Sequence, residues 1–459
     1  MKTNRLFLPY FIYLLAVGLV PIHRTGAAEA PMNLEAVRTE TLANSRALAR
    51  YALSARNSEL DERSRIYSNL PSLSLGASAS ISLWGQQAIP EMEPGVTGDS
   101  ITDSFSTGLN FGISQRIYDG GKNGILKSIN GISSAILRQE ALGEYFSALD
   151  SADAAYFGTL EASAAYDGAE AALRTAAAAL DLAESRRSMG MISYGDYLEA
   201  LANKESRETA LNQARRDLSL WKLRITNLTG VANPDLFGID FAEYEDLIQR
   251  LAYCDDAEID SLYRALATAT ERQNPALAKA GLLSQQAVYN LSLAKRDYFP
   301  TLNASFSTGL SYSPPSGTSL SGGRLSLSGS IPLDFWVTGN TVAKRELALE
   351  EASLSYRNTE SSLVIDLQSA LLDALAQAGT VLSTRRAYES ASRRLEYAQE
   401  LFNLSQYSVS SLLDAASGAS SSYTQLIRAQ YGLLSSLSRL RSLGAFSSDS
   451  ELIDLLLNN

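Results

Sequence analysis

Ser72-Leu73-Ser74-Leu75-Gly76-Ala77-Ser78-Ala79-Ser80-Ile81-Ser82-Leu83 alternates without a fault. Leu73, Leu75, Ala77, Ala79, Ile81 and Leu83 fall on one face of an extended chain, and Ser72, Ser74, Gly76, Ser78, Ser80 and Ser82 on the other, because successive side chains of a strand point to opposite sides. Three further segments repeat the pattern: Phe105, Thr107, Leu109, Phe111, Ile113; Leu302, Ala304, Phe306, Thr308, Leu310; and Leu325, Leu327, Gly329, Ile331, Leu333. Between these positions stand almost only Ser, Gly, Asn and Thr. Strands of about ten residues, apolar on one face and small-polar on the other, are the pattern of a transmembrane β-barrel with a wet interior. A half-buried sheet of a soluble protein gives the same alternation, so the strands alone leave both readings open.

The amino terminus bears on that choice. Lys2 and Arg5 precede an apolar run over residues 6–20, and small residues follow around Gly26, Ala27 and Ala28. That order reads as a secretory signal peptide over residues 1–28. The run is too short to span a bilayer as a helix, and no other stretch approaches the roughly twenty apolar residues required. No cysteine follows the cut directly, so the usual lipoprotein attachment is not expected. Secretion with no other membrane anchor favours the barrel. Four strands cannot close one, since the smallest have about eight, so closure requires more than one chain.

An internal repeat organises the rest. Residues 48–83 match 277–312 at an offset of 229, and residues 183–200 match 398–415 at an offset of 215, aligning Ser193 with Ser408 and Leu198 with Leu413. The difference falls largely in residues 84–102, longer than their counterpart over 313–323, as expected of a surface loop. Outside the strands the chain is rich in Ala, Leu, Ser, Arg and Glu and almost free of proline, so it reads as helix. In the first copy a helix of about 68 residues over 122–189, about 100 Å long, lies antiparallel to two shorter ones, over 34–69 and 193–228, stacked end to end. The second copy repeats this with 342–405 against 261–297 and 407–443. Spacing such as Leu173, Ala177, Leu180, Leu182 is partly heptad-like, and Ala and Ser faces allow close coiled-coil packing. An ordinary helical bundle does not explain strands that interrupt the helices midway through each copy. The expected organisation is a signal peptide (1–28), a first repeat (29–230), a linker or equatorial segment (231–260), a second repeat (261–444) and a C-terminal equatorial tail (445–459).

Composition excludes several functions. With 45% apolar and 19% charged residues, the 459-residue chain can bury a large ordered structure. Removing residues 1–28 leaves 36 basic against 50 acidic side chains, a net charge of −14. That balance argues against nucleic acid, whose phosphates call for basic patches. The single histidine, His23, lies in the signal segment, and Cys254 is the single cysteine, which excludes histidine catalysis and intrachain disulfides. Cys254, beside Asp255 and Asp256, reads as an incidental thiol with no base to activate it. No nucleotide-binding loop, metal cluster or catalytic constellation is visible, so neither an enzyme nor a cofactor is expected. A hydrolase using paired carboxylates lacks a recognisable pocket-forming loop.

Several local signatures resemble the TolC family of outer-membrane efflux channels over nearly the whole mature chain. They are the strand starts Asn69-Leu70-Pro71-Ser72-Leu73 and Tyr298-Phe299-Pro300-Thr301-Leu302, the exit Ser114-Gln115-Arg116-Ile117-Tyr118-Asp119-Gly120-Gly121, and the helix hairpin Gly190-Met191-Ile192-Ser193-Tyr194-Gly195-Asp196-Tyr197-Leu198-Glu199-Ala200 with Leu228-Thr229-Gly230 beyond it. The second exit, Ile331 to Gly339, keeps a proline and a final glycine but lacks Asp-Gly-Gly. The resemblance implies a mainly α, internally duplicated chain with a transmembrane β-barrel. In the homotrimer, four strands per chain make a twelve-stranded barrel, and long antiparallel helices make an α-barrel across the periplasm. It implies a passive exit duct of a tripartite efflux or secretion system, with outer-membrane lipid around it, a periplasmic adaptor (membrane fusion protein), and an inner-membrane transporter of RND, ABC or MFS type supplying energy. A type I protein-secretion duct and a non-conducting structural coiled-coil protein are the alternatives.

The resemblance also places the periplasmic constriction at the second hairpin, with Asp414 as its acid, Ser411 where a second acid is often found and Tyr407 where a gating arginine can occur. Ser405 replaces the usual hairpin glycine. Gly190, Ser193, Asp196, Glu199, Ser405 and Ser408 are the candidate adaptor-contacting tips. A carboxylate repeated by threefold symmetry at a narrow wet constriction favours cations and could hold a multivalent one. A solvated helix-end charge or dipole partner is the plain alternative for each acid. Trp84, Tyr312, Phe335 and Trp336 are expected at strand ends, as a membrane-interface girdle or as core.

Overall fold

The computed structural model describes residues 31–82, 104–232, 234–313, 317–404 and 406–458. They divide into two compact units, one made of residues 54–136 and 281–355, the other of the remaining described residues.

The first unit holds the sheet. Strands β1 (Ser72–Ser82), β2 (Ser104–Tyr118), β3 (Thr301–Ser313) and β4 (Gly317–Ser330) pair antiparallel in chain order. The register stacks Leu75 on Phe111, Ile113 on Phe306 and Phe306 on Leu325. On the other face hydroxyls meet across the strands, Ser72 with Ser114 at 2.6 Å, Ser80 with Ser106 at 2.7 Å and Ser305 with Ser326 at 2.8 Å. The alternation therefore sorts the two faces as the sequence predicts. In β4 it breaks once. The ladder shifts between Ser307 and Gly309, which brings Leu320 opposite Leu310. The chains crowd there: a Cβ on Gly309 would lie 2.5 Å from Asn110 Oδ1 and 3.1 Å from the Leu109 carbonyl oxygen, so any larger residue would have to displace the Asn110 side chain and press on the neighbouring strand. β4 also ends earlier than expected, leaving Ile331 and Leu333 beyond the strand.

Asp119-Gly120-Gly121 converts strand to helix. The Asp119 carboxylate accepts from the amides of Gly121 (3.0 Å) and Asn123 (2.8 Å), satisfying donors that a helix start leaves open. Gly120 takes φ +73° against Phe299. Helix α3 (Lys122–Ser188) follows. In the second copy Asp334 accepts through its backbone carbonyl from Val337 and Thr338, and the long helix α8 (Phe335–Asn403) starts seven residues before the expected position. Phe335 and Trp336 therefore open a helix rather than close a strand; both are exposed, and Phe335 stacks on Tyr298. Trp84 lies outside the described residues.

The expected helix over 34–69 is two, α1 (Leu34–Asn44) and α2 (Arg46–Tyr67), separated by an extended Ser45. Its counterpart is likewise two, α6 (Asp256–Gln273) and α7 (Pro275–Lys295), and begins five residues earlier than expected. The second break is chemical: Pro275 cannot continue a helix, and Asn274 Oδ1 caps the new one by accepting from Ala276 and Leu277. Both breaks fall at the same place in the repeat, Ser45 and Asn274 being 229 positions apart. Helices α4 (Tyr194–Thr229) and α9 (Val409–Gly444) agree residue for residue at the offset of 215.

In the helical unit the main core gathers Val37, Tyr156, Ile225, Leu262, Leu266, Leu371, Leu433 and Leu440 with short helices α5 (Glu245–Ala252) and α10 (Asp449–Asn458). Cys254 is half-buried there, its thiol pushed up by burial and donating to the Arg250 carbonyl.

Candidate functional site

The two helix hairpins, α3 to α4 and α8 to α9, share a small core of Ala183, Ala200, Ala398, Phe402, Val409, Leu412, Leu413 and Ala415, against which Ile192 and Tyr407 pack. Alanines at Ala183, Ala200, Ala398 and Ala415, none more than 2% exposed, let the backbones approach closely. Each turn closes by the same long-reach bond, Met191 N–H to the Arg186 carbonyl and Gln406 N–H to the Leu401 carbonyl. Gly190 supplies the left-handed residue of the first turn, at φ +72°. Its counterpart, Ser405, lies outside the described residues.

Capping then sorts the candidate residues. Ser193 and Asp196 form a reciprocal box, each side chain accepting from the other's amide at 3.1 Å. In the second hairpin Ser408 accepts from the Ser411 amide at 3.1 Å, and Ser411, in the place of Asp196, answers with a hydroxyl bond of 2.8 Å. Asp196, Ser193, Ser408 and Ser411 thus have local work at helix starts. Asp414 and Glu199, equivalent by the repeat, are both exposed one turn further on. Among the described residues no hydrogen bond or ion pair engages either carboxylate. Tyr407 is half-buried on the hairpin core, where Ile192 sits in the first copy.

The hairpins differ most where sequence reasoning placed nothing. Arg187 lies over the rings of Tyr194 and Tyr197, at 4.6 and 4.7 Å, and the two rings stack at 6.1 Å. The equivalent residues of the second hairpin are Phe402, Val409 and Leu412, all buried. One triad is a cation–aromatic patch open to solvent, the other an apolar core. Arg186 joins the hairpins, donating to the Phe402 carbonyl at 3.1 Å with its guanidinium 4.5 Å from the Phe402 ring. The 215-residue offset, read as a comparison of side chains, could have exposed that contrast.

A second cluster was also missed. Arg38, Asp150, Asp153, Ser438, Arg441, Ser442 and Asp449 form a network within the helical unit, with Asp153 and Arg441 only 1% and 2% exposed.

A duplicated chain with two helix hairpins and a four-stranded sheet of one exposed apolar face defines a duct subunit of an outer membrane. The chain belongs to the outer membrane efflux protein family, whose model matches residues 37–231 and 266–445. Among solved structures it is similar to the CmeC outer membrane channel of Campylobacter jejuni, with 14% identity over 96% of this chain and 94% of that one and a TM-score of 0.73. It is also similar to the outer membrane protein VceC of Vibrio cholerae, at 16% identity, 90% and 96% coverage and a TM-score of 0.69, and to the open state of the MtrE outer membrane channel of Neisseria gonorrhoeae, at 16% identity, 90% and 88% coverage and a TM-score of 0.68. A comparison with curated protein sequences finds no match.

Proposed function

We propose that three copies of this chain close their sheets into a single twelve-stranded outer-membrane barrel and serve as the passive exit duct of a tripartite efflux or secretion system. One observation carries the reading. β1 and β4 each pair on one side only, while Leu73, Leu75, Leu109, Leu325 and Leu327 stand exposed on one face. Unpaired edges are satisfied when neighbouring sheets join, and an exposed apolar face is satisfied by lipid. In this reading residues 1–28 are removed, residues 29–230 and 261–444 are the two repeats, and 231–260 with 445–459 form an equatorial belt. Tyr312, Phe335 and Trp336 belong to the interfacial girdle. Asp414, free of local partners, lines the periplasmic constriction, with Ser411 and Tyr407 beside it. The first hairpin, including Gly190, Ser193, Asp196 and Glu199, meets a periplasmic adaptor, with Ser405 and Ser408 at the second tip, and an inner-membrane transporter supplies the energy.

Conductance of the purified trimer in a planar bilayer tests this. Discrete openings support the duct. A folded, membrane-inserted trimer that stays silent even with its adaptor bound overturns it in favour of a structural coiled-coil protein.

A further inference from the structure

The strands β1, β2, β3 and β4 contain no Asp, Glu or Lys; their charged side chains are Arg116 and Arg324. Register places both on the hydroxyl face. Arg324 pairs with Ser307 and stands two residues from Ser326, whose hydroxyl meets that of Ser305 on that face. Arg116 pairs with Asn303, two residues from Ser114, whose hydroxyl meets that of Ser72. Both arginines are exposed, and among the described residues neither is in an ion pair.

We infer that Arg324, with Arg116, makes the barrel lumen a selective zone for anionic solutes, so that this segment of the duct favours solutes bearing phosphate, sulfate or carboxylate groups. This rests on the barrel reading above, in which the hydroxyl face lines the lumen. The chain as a whole is acidic, yet this face carries positive charge alone among neutral hydroxyls. Along β3 the two arginines sit at the levels of Ser307 and Asn303, about 13 Å apart at ~3.3 Å per residue. Three chains stack them as two guanidinium rings. Guanidinium is permanently charged and grips oxyanions through its fork of donors. Its field reaches about 10 Å at 0.1 M salt and about 30 Å at 0.01 M, so the rings act across a wide lumen at low ionic strength and fade at high.

The test uses the full trimer in a planar bilayer with tripolyphosphate added on the barrel side, comparing wild type with Arg324→Ser, Arg116→Ser and Arg324→Lys. Near ~0.01 M salt, a lumen potential of about one kT raises local anion concentration by ~3-fold and lowers that of cations equally. Arg324→Ser is therefore expected to lower the anion-to-cation permeability ratio by roughly threefold or more and to weaken tripolyphosphate block. Arg324→Lys should keep the permeability ratio but block less well, and every difference should vanish near ~1 M salt. Normal openings with unchanged reversal potential and block in both serine variants overturn the inference and leave the duct intact. A wild-type trimer that never opens overturns the duct itself.

Discussion

The Arg38 guanidinium holds the Asp153 carboxylate by two bonds, Nε to Oδ1 at 2.6 Å and Nη2 to Oδ2 at 2.8 Å, joining residues 115 positions apart. Arg441 adds a third bond to Asp153 at 2.9 Å, and Asp449 takes bonds from both arginines, at 2.8 Å from Arg38 and 2.9 Å from Arg441. Ser438 also donates to Asp153. Asp153 thus answers two buried cations. Asp153→Ala removes the one fully buried carboxylate of the network and leaves both cations to share the partly exposed Asp449, and should cost up to about 3–5 kcal/mol. Thermal unfolding of the purified protein measures it; a loss below ~1 kcal/mol would show that the pairs contribute no more than exposed ones.

Asp150 and Asp449, in the same network, respond to pH in opposite senses. Burial raises the Asp150 carboxyl above its usual range, against the Ser442 bond and the Arg441 charge. Burial also acts to raise Asp449, but Arg38 and Arg441 overcome it and hold its carboxyl below the usual range. A depressed carboxyl stabilises the fold above its unfolded value and loses that contribution as pH falls through the folded value, so Asp449 weakens the fold on the acid side of about pH 4. A raised one stabilises below its unfolded value, and the contribution is lost as pH rises through the folded value. Asp150→Asn should therefore be neutral or stabilising at pH 7, whereas Asp449→Asn should destabilise there and flatten the acid limb. Unfolding curves between about pH 3 and 8 decide; equal losses from both variants at pH 7 would contradict the assignment.

Legibility followed periodicity. The strand faces are local patterns, and the hairpin helices α4 and α9 carry the same start signals, Ser193 and Ser408. The break at Ser45 has no proline to announce it, whereas Pro275 marks its partner but lies within a longer helical pattern that runs on either side of it. Arg38, Asp153, Arg441 and Asp449 come from four distant segments, and nothing local in sequence pairs them. At the candidate site the sequence located both hairpins, but capping and exposure are what separate Asp414 and Glu199 from Asp196 and Ser411.

The C-cap of α9 is Ala445, at φ +52° and ψ +37°, where the equivalent position of α4 is Gly230 at φ +76°. A left-handed conformation costs a side-chain-bearing residue roughly 1–2 kcal/mol that glycine does not incur. Burial of the Ala445 methyl offsets part of this, at about 0.8 kcal/mol per carbon group. Ala445→Gly should therefore leave stability unchanged or raise it by up to ~1 kcal/mol. The neighbouring Gly444→Ala should be disruptive, since its Cβ would lie 2.1 Å from the Phe446 ring. Differential scanning calorimetry of the two variants should give opposite signs or a clear gap; matching losses would mean that Ala445 sits there without strain.

In the proposed duct Asp414 lines the constriction, and its contrast with Glu199 makes the prediction specific. Both carboxylates are exposed, both stand six residues after a serine N-cap, and the repeat superposes them, but their surroundings differ. Leu413, next to Asp414, is buried in the hairpin core, while Leu198, next to Glu199, is 43% exposed. The backbone carrying Asp414 is therefore held on both sides by buried neighbours, Leu413 and Ala415, which fixes where the carboxylate projects. In the proposed trimer, a ring of such fixed acids binds a multivalent cation far better than acids on a loose surface, because less order has to be imposed on binding. Asp414→Asn should abolish block of the channel by cobalt added from the periplasmic side, and Glu199→Gln should leave it within about twofold of wild type, since Glu199 stands on the less tightly held backbone beside the exposed Leu198. Single-channel recordings of both variants measure this directly. Block that survives Asp414→Asn and disappears in Glu199→Gln would move the constriction to the first hairpin and leave the second to the adaptor.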